Sequence, residues 1–334
     1  MTENPFSSSN FWLLRIVLPG RWGRWITGSI IFAVLFCFFA YFGQISSDEG
    51  TEMSTGAVLF FCIILAYIVP IHHMIVERSL LAMSQLTSAF PSGDEMLAGY
   101  QERIISKPRN WYTLTLTVGF VAGLTHNTFL ADGNIIGALS RPGSILPFAV
   151  TMVIWVIMTG VISSLIETAV LFNRLGERVK VDPLNIRALT PFGSVAVSST
   201  LAMIGAQAAF PALMFDSDTH WITFAPGLLA TGIPMIFLFL LPVLPIHRRI
   251  VVTKRRALDR VNRDINLISG VSEQTDVAQY TALQPLLTYR TEITSAPEWP
   301  FDTSVMGRLA LYLIIPPLTW IGAALIEILV DSAI

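Results

Sequence analysis

Charged residues are scarce in this 334-residue chain, 13% of the total against 53% hydrophobic. A soluble globule with that balance would lack polar cover, whereas a bundle solvated by lipid needs little. Cysteine is rarer still. Cys37 and Cys62 both lie inside apolar runs, where a thiol behaves as a small hydrophobe, so no disulfide framework or cysteine metal site is implied. The chain also lacks a glycine-rich nucleotide loop, an H-E-x-x-H metal helix, a Ser/His/Asp hydrolase pattern and a C-x-x-C-H haem attachment motif. Those absences disfavour soluble-type catalysis, and nothing points to an enzyme. The net charge of −2 says little about partners.

What the chain has in abundance is long apolar runs. Seven are long enough to cross ~30 Å of hydrocarbon: Trp25 to Gly43, Gly56 to Ile75, Trp111 to Leu130, Ser144 to Phe172, Phe192 to Phe215, Trp221 to Ile246 and Leu309 to Val330. Twenty of the 21 Lys and Arg residues fall before the first run or after the second, fourth and sixth, and only Arg141 lies on the other side. Positive residues resist translocation, so the pattern predicts an amino terminus inside and a carboxyl terminus outside. The fold class expected is all-α, a polytopic membrane protein of seven transmembrane helices. The first run starts too far in, and lacks a convincing small-residue cleavage site, for a removed signal peptide.

Basic stretches in such a chain are topology signals, which argues against nucleic-acid binding. They also carry helical periodicity. Leu258, Val261, Ile265 and Ile268 recur at three- and four-residue steps beside Lys254, Arg255, Arg256, Arg260 and Arg263, so the sixth helix is predicted to run on as a rod to about Gly270. A second rod spans Glu77 to Phe90 and breaks at Pro91, and Ser92-Gly93-Asp94-Glu95 has capping-box spacing for a helix through Ile105. Ser269 to Gln284 reads as a loop with a short helix. The division expected is an interfacial segment over 1–24, helices one to six over 25–246 with cytoplasmic helices at 77–106, a cytoplasmic helical anchor over 247–308, and helix seven with the outer terminus over 309–334. The basic face from Lys254 to Arg263 suits anionic lipid or a cytosolic partner.

A faint internal repeat accompanies this pattern. Val69-Pro70-Ile71-His72-His73 and Leu244-Pro245-Ile246-His247-Arg248 each end a run and lead into a basic stretch. Those stretches close at Pro108-Arg109-Asn110-Trp111 and Pro297-Glu298-Trp299-Pro300. Helices one to three and five to seven are thereby predicted to be parallel repeats joined by helix four.

Ionisable and polar groups inside apolar runs are functional suspects by default. Glu167 lies deep in the fourth run near Ser163, Ser164 and Thr168, and Glu327 lies near the outer end of the seventh. Thr125-His126-Asn127-Thr128 make the third run polar, and Gly119-Phe120-Val121-Ala122-Gly123 is a GxxxG step for close helix approach. Gln207 and small residues mark the fifth run, and Pro316-Pro317 predict a bend in the seventh. For each there is a plainer reading: snorkelling or ion pairing for the glutamates, packing for the small residues, a static kink for the prolines. Five histidines remain. His72, His73 and His247 sit at inner helix ends and His126 and His220 toward the outer side, a layout that permits two axially ligated haems as the alternative to no cofactor.

The strings Pro245-Ile246-His247-Arg248-Arg249, Lys254-Arg255-Arg256-Ala257-Leu258 and Glu298-Trp299-Pro300-Phe301-Asp302 resemble a pattern in uncharacterised prokaryotic multi-pass membrane proteins. The resemblance covers about the last ninety residues and implies a prokaryotic cytoplasmic membrane without implying an activity. Topology therefore leads the functional reading: a solute- or ion-conducting or binding protein (channel, transporter or membrane sensor), with self-association allowed. The alternatives are a haem-bearing electron-transfer protein and an accessory subunit.

Overall fold

A backbone surrounded by lipid has no water to bond, so apolar runs satisfy their amides internally as helices. The computed structural model describes residues 6, 9–46, 54–90, 94–130, 133–140, 142–215, 225–269 and 277–301, with isolated positions between 307 and 322. All regular structure among them is helical. The α-helices are α1 (Trp12–Ile16), α2 (Gly23–Ser46), α3 (Thr55–Gln85), α4 (Asp94–Ile105), α5 (Arg109–Leu130), α6 (Ile135–Leu139), α7 (Pro142–Gly176), α8 (Thr190–Gln207), α9 (Ala225–Ser269) and α10 (Val277–Ser295).

Among the described residues, five segments are long and apolar enough to cross a membrane: Gly23–Phe42, Thr55–Gln85, Gly143–Gly176, Ile186–Leu213 and Ala225–Ser269. This is a membrane protein. The third predicted run forms α5, whose threonines, His126 and Asn127 leave it outside those five. The seventh run lies outside the described residues apart from isolated positions.

α8 takes the centre because its Gly193, Ala196, Ser198, Ser199, Ala202 and Ala206 are small enough for other backbones to approach. It packs against α3 and α9, and a Cβ on Gly193 would sit 2.5 Å from the Pro300 carbonyl oxygen. α5 packs at the edge on α7. A Cβ on Gly119 would lie 2.8 Å from Val156 Cα and one on Gly123 3.3 Å from Met152 Cα, so the GxxxG step is a contact surface. The buried stripe of α5 is Thr115, Gly119, Gly123 and Asn127, one residue per turn. Thr113, Thr117 and Thr125 face outward, and Thr125 turns its hydroxyl onto the Val121 carbonyl at 2.8 Å. A threonine can satisfy itself on its own helix, which is why a polar run need not be an interior one.

α9 is continuous for 45 residues despite Pro234, Pro242 and Pro245. Proline 245 removes the amide that the Leu241 carbonyl would accept. Asn173 of α7 replaces it, donating Nδ2 to that oxygen at 2.8 Å. The rods past the apolar runs match the periodicity: α3 ends at Gln85, a 3-10 turn covers Thr87–Ala89, and α4 follows. The stretch Ser269 to Gln284, read as a loop with a short helix, lies in part outside the described residues, which stop at Ser269 and resume at Val277. From Val277 the chain is helical for 19 residues, because Leu283, Leu286, Tyr289 and Ile293 form a stripe that packs back on α9.

The Lys/Arg-bearing segments converge at one end of the bundle. Arg178 reaches Met96 Sδ of α4 at 3.4 Å, Arg249 donates to the Glu177 carbonyl, and Asn10 bonds the Lys107 backbone.

Candidate functional site

Between α3, α7 and α8 the helices leave a cavity of about 320 Å³, lined in addition by residues of α5 and α9. Its walls are aliphatic and aromatic, and none of its lining residues among the described ones is charged. A few polar groups interrupt the apolar surface. Tyr67 Oη donates to the Ala202 carbonyl at 3.1 Å. It fits because position 205 is glycine, where a Cβ would lie 2.1 Å from that oxygen. Thr231 Oγ1 donates to the Gly227 carbonyl at 3.0 Å and receives Gln207 Nε2 at 3.3 Å.

His126 is the most informative of these groups. Trp155 Nε1 donates to His126 Nδ1 at 2.9 Å, and an indole can only donate, so a neutral His126 carries its proton on Nε2. That leaves one N–H donor on a ring that lines an apolar chamber. Cavities of this type, apolar with a few placed polar groups, bind uncharged organic molecules.

The amino-terminal segment packs on α3 at His72 and His73. Phe11 sets its ring edge on His72 at 5.2 Å, and Phe6 does the same to His73 at 4.5 Å. Phe6, Phe11, Leu13, Leu14 and Val17 are all buried. Hydrogen bonds lock this segment to the turn before α5: Asn10 Nδ2 donates to the Lys107 carbonyl at 2.7 Å, the Lys107 amide donates to Asn10 Oδ1 at 2.8 Å, and Ser9 Oγ donates to the Ile105 carbonyl at 2.7 Å. His72 is fully buried with Nε2 at 3.2 Å from Ser164 Oγ.

Beside the amino-terminal segment lies a charge cluster. Lys107 Nζ, on a side chain with no exposed surface, contacts Glu167 Oε2 at 2.8 Å and the Arg103 carbonyl at 3.2 Å. Its ammonium also lies 5.7 Å from the Trp111 ring centre. Arg103 Nε contacts the other Glu167 oxygen at 2.9 Å. Burial lowers the Lys107 pKa from its ordinary value, and the hydrogen bond and charge of Glu167 act in the opposite direction.

No protein-family model matches this chain, and comparison with curated proteins and with solved structures finds no match.

The structure thus separates the residues that the sequence singles out. His126 lines the chamber, and Gln207 touches it through Thr231. Asn127 instead bonds backbone, donating to the Gly123 carbonyl at 3.1 Å and the Phe148 carbonyl at 3.4 Å. Glu167 belongs to the charge cluster with Arg103 and Lys107. His73 meets Phe6, while His247 stacks on Trp299 at 3.9 Å with Nδ1 2.9 Å from the Glu298 carbonyl. Lys254 is buried and donates to the Thr294 and Ala296 carbonyls at 2.9 and 2.7 Å, so within the basic stretch it ties α9 to the end of α10. Pro316, Pro317, Glu327 and His220 lie outside the described residues. Sequence reasoning passed over Tyr67, Trp155, Asn10 and Lys107. A Tyr-Gly or Trp-His pair across two helices has no linear signature, and Lys107 reads as one more topology charge.

Proposed function

We propose that this chain is a multi-pass protein of the cytoplasmic membrane, with seven spans and its amino terminus inside, that binds an uncharged lipophilic solute within the bundle as a transporter or membrane sensor. The observation that carries this reading is the uncharged, apolar chamber between α3, α7 and α8, with His126, whose Nδ1 is taken by Trp155, among its lining residues. An ion would lose its hydration there with no compensating charge. A solute with an apolar body and one acceptor, such as a ketone, ester or hydroxyl, would be matched. The convergence of basic segments at one end of the bundle supports the orientation, because translocation would otherwise have to carry most of the chain's positive charge.

The test is a titration of the protein in lipid nanodiscs with 1-aminoanthracene, an apolar probe that fluoresces more strongly when shielded from water. The expected result is saturable, blue-shifted emission at one probe per chain. Ala206→Phe, which fills the chamber, should weaken binding about tenfold or more, equivalent to about 1.4 kcal/mol. Emission that rises linearly with probe, as from empty nanodiscs, would sink the proposal, as would equal saturation by the filled variant.

A further inference from the structure

A second concavity lies on the outer face of the bundle, between α2 and α3, with a volume of about 640 Å³. It is built differently from the inner chamber. At the end nearest the basic segments it is rimmed by Arg21, Arg24 and Arg78, with Trp25 beside them. Farther along it is walled by Phe32, Ile63 and Ala66. The two helices diverge from a close contact at Gly28, where a Cβ would lie 3.1 Å from the Ala66 carbonyl oxygen and 3.4 Å from Pro70 Cγ. Proline 70 also supplies no amide to that carbonyl, leaving an acceptor among the lining residues.

The arginines are not consumed by internal pairing. Among the described residues the ion pair at this rim is Arg24 with Glu77, at 3.3 Å. Arg78 gives one N–H to Ser198 Oγ at 3.2 Å, which leaves most of its five donors unused. Arg21 lies over Trp22 at 5.9 Å from the ring centre. Three guanidinium groups against one carboxylate leave a net positive rim, and arginine is the side chain whose planar fork matches phosphate oxygens. Exposed Trp25, at 73%, is the residue type that settles at the level of lipid headgroups.

From this juxtaposition of a guanidinium rim, an interfacial tryptophan and an apolar wall, we infer that the α2–α3 groove binds one anionic phospholipid. Its phosphate takes the donors of Arg21 and Arg78 and its acyl chain lies along Phe32 and Ile63. Basic pockets between membrane helices hold anionic headgroups by this logic. The apolar wall selects a lipid over a free phosphate, which would leave that wall empty. The inference does not rest on the solute reading, because this groove faces the bilayer and the arginines are absent from the chamber.

The test is native mass spectrometry of the protein delipidated in mild detergent and titrated with dioleoyl phosphatidylglycerol or dioleoyl phosphatidylcholine, which share acyl chains. The wild type should retain one phosphatidylglycerol with about tenfold preference. Arg21→Gln combined with Arg78→Gln should reduce that preference below about threefold. Ser29→Trp, at a groove-lining position with every arginine kept, should also lose the retained lipid. An unchanged helical circular-dichroism spectrum and a single symmetric gel-filtration peak for each variant show that they fold. Equal retention of the two lipids, or retention indifferent to both variants, would overturn the inference. So would competition by millimolar glycerol 3-phosphate at full strength, since that would make the groove a site for soluble phosphate.

Discussion

Replacing Glu167 with leucine should destabilise the protein far more than its single charge suggests. The Lys107 side chain has no exposed surface, and Glu167 Oε2 at 2.8 Å is the anion that compensates it. Removing one partner of a buried pair typically costs about 3–5 kcal/mol, because the remaining charge is left uncompensated. Arg103 adds little to that figure: its side chain is 54% exposed, and exposed pairs contribute roughly 0–1 kcal/mol. The double substitution Lys107→Met with Glu167→Leu removes both charges and fills the site, so it should recover to within about 1 kcal/mol of the wild type. The pH dependence has a definite sign. With its folded pKa lowered from 10.5, Lys107 holds fewer protons folded than unfolded, so this group makes stability rise as pH climbs from the folded value toward 10.5. Losing Glu167 removes the contributions that raise the folded pKa, which widens that window downward. The deficit of Glu167→Leu should thus be largest near neutral pH and shrink in alkali. Unfolding by dodecyl sulfate in mixed micelles, followed by circular dichroism at several pH values, measures this. A single-variant loss below about 1 kcal/mol with no coupling in the double would show that Lys107 reaches water, and the reasoning would fail.

Three further outcomes follow from the geometry. Asn10→Ala leaves the Lys107 amide and carbonyl without their partners at 2.7 and 2.8 Å, and a loss of about 1–3 kcal/mol locally should appear as faster hydrogen exchange around residues 105–112. Gly119→Val drives a Cβ to 2.8 Å from Val156 Cα, so α5 should part from α7 and expose its amides to exchange; unchanged protection would contradict the packing. Asn173→Leu strands the Leu241 carbonyl ahead of Pro245, and a loss of about 1–3 kcal/mol in the same micelle assay should be rescued by Pro245→Ala, which restores the helical amide.

The helices were legible and the site was not, for a physical reason. Apolar length and charge spacing are linear properties, so α2, α3, α7, α8 and the long rod of α9 can be read from one strand of letters. The packing value of Gly119 and Gly123 was legible too, since the step is four residues on one face. α10 begins in a Ser/Thr/Gln-rich stretch that reads as a loop with a short helix, and the stripe of Leu283, Leu286, Tyr289 and Ile293 carries it on to Ser295. The chamber is a gap between helices distant in sequence, and gaps leave no letters. Glu167 is an intramembrane charge whose carboxylate is bonded on both oxygens by basic residues far away in sequence, while His126 is among the residues that line the chamber.

Tyr67 and Ile71 line both the inner chamber and the α2–α3 groove, so these two side chains of α3 belong to the wall between groove and chamber. The far end of the partition is held by the bond from Tyr67 to the Ala202 carbonyl at 3.1 Å. A lipophilic solute that reaches the groove has a direct route into the chamber across this wall. Tyr67→Ala should accordingly speed both entry and release of 1-aminoanthracene in stopped-flow fluorescence, changing the rates by a larger factor than the equilibrium affinity. Tyr67→Phe keeps the ring and loses only the hydroxyl, so it should open the wall less. If Tyr67→Ala weakens affinity without altering the entry rate, Tyr67 is a wall of the chamber and the solute enters elsewhere.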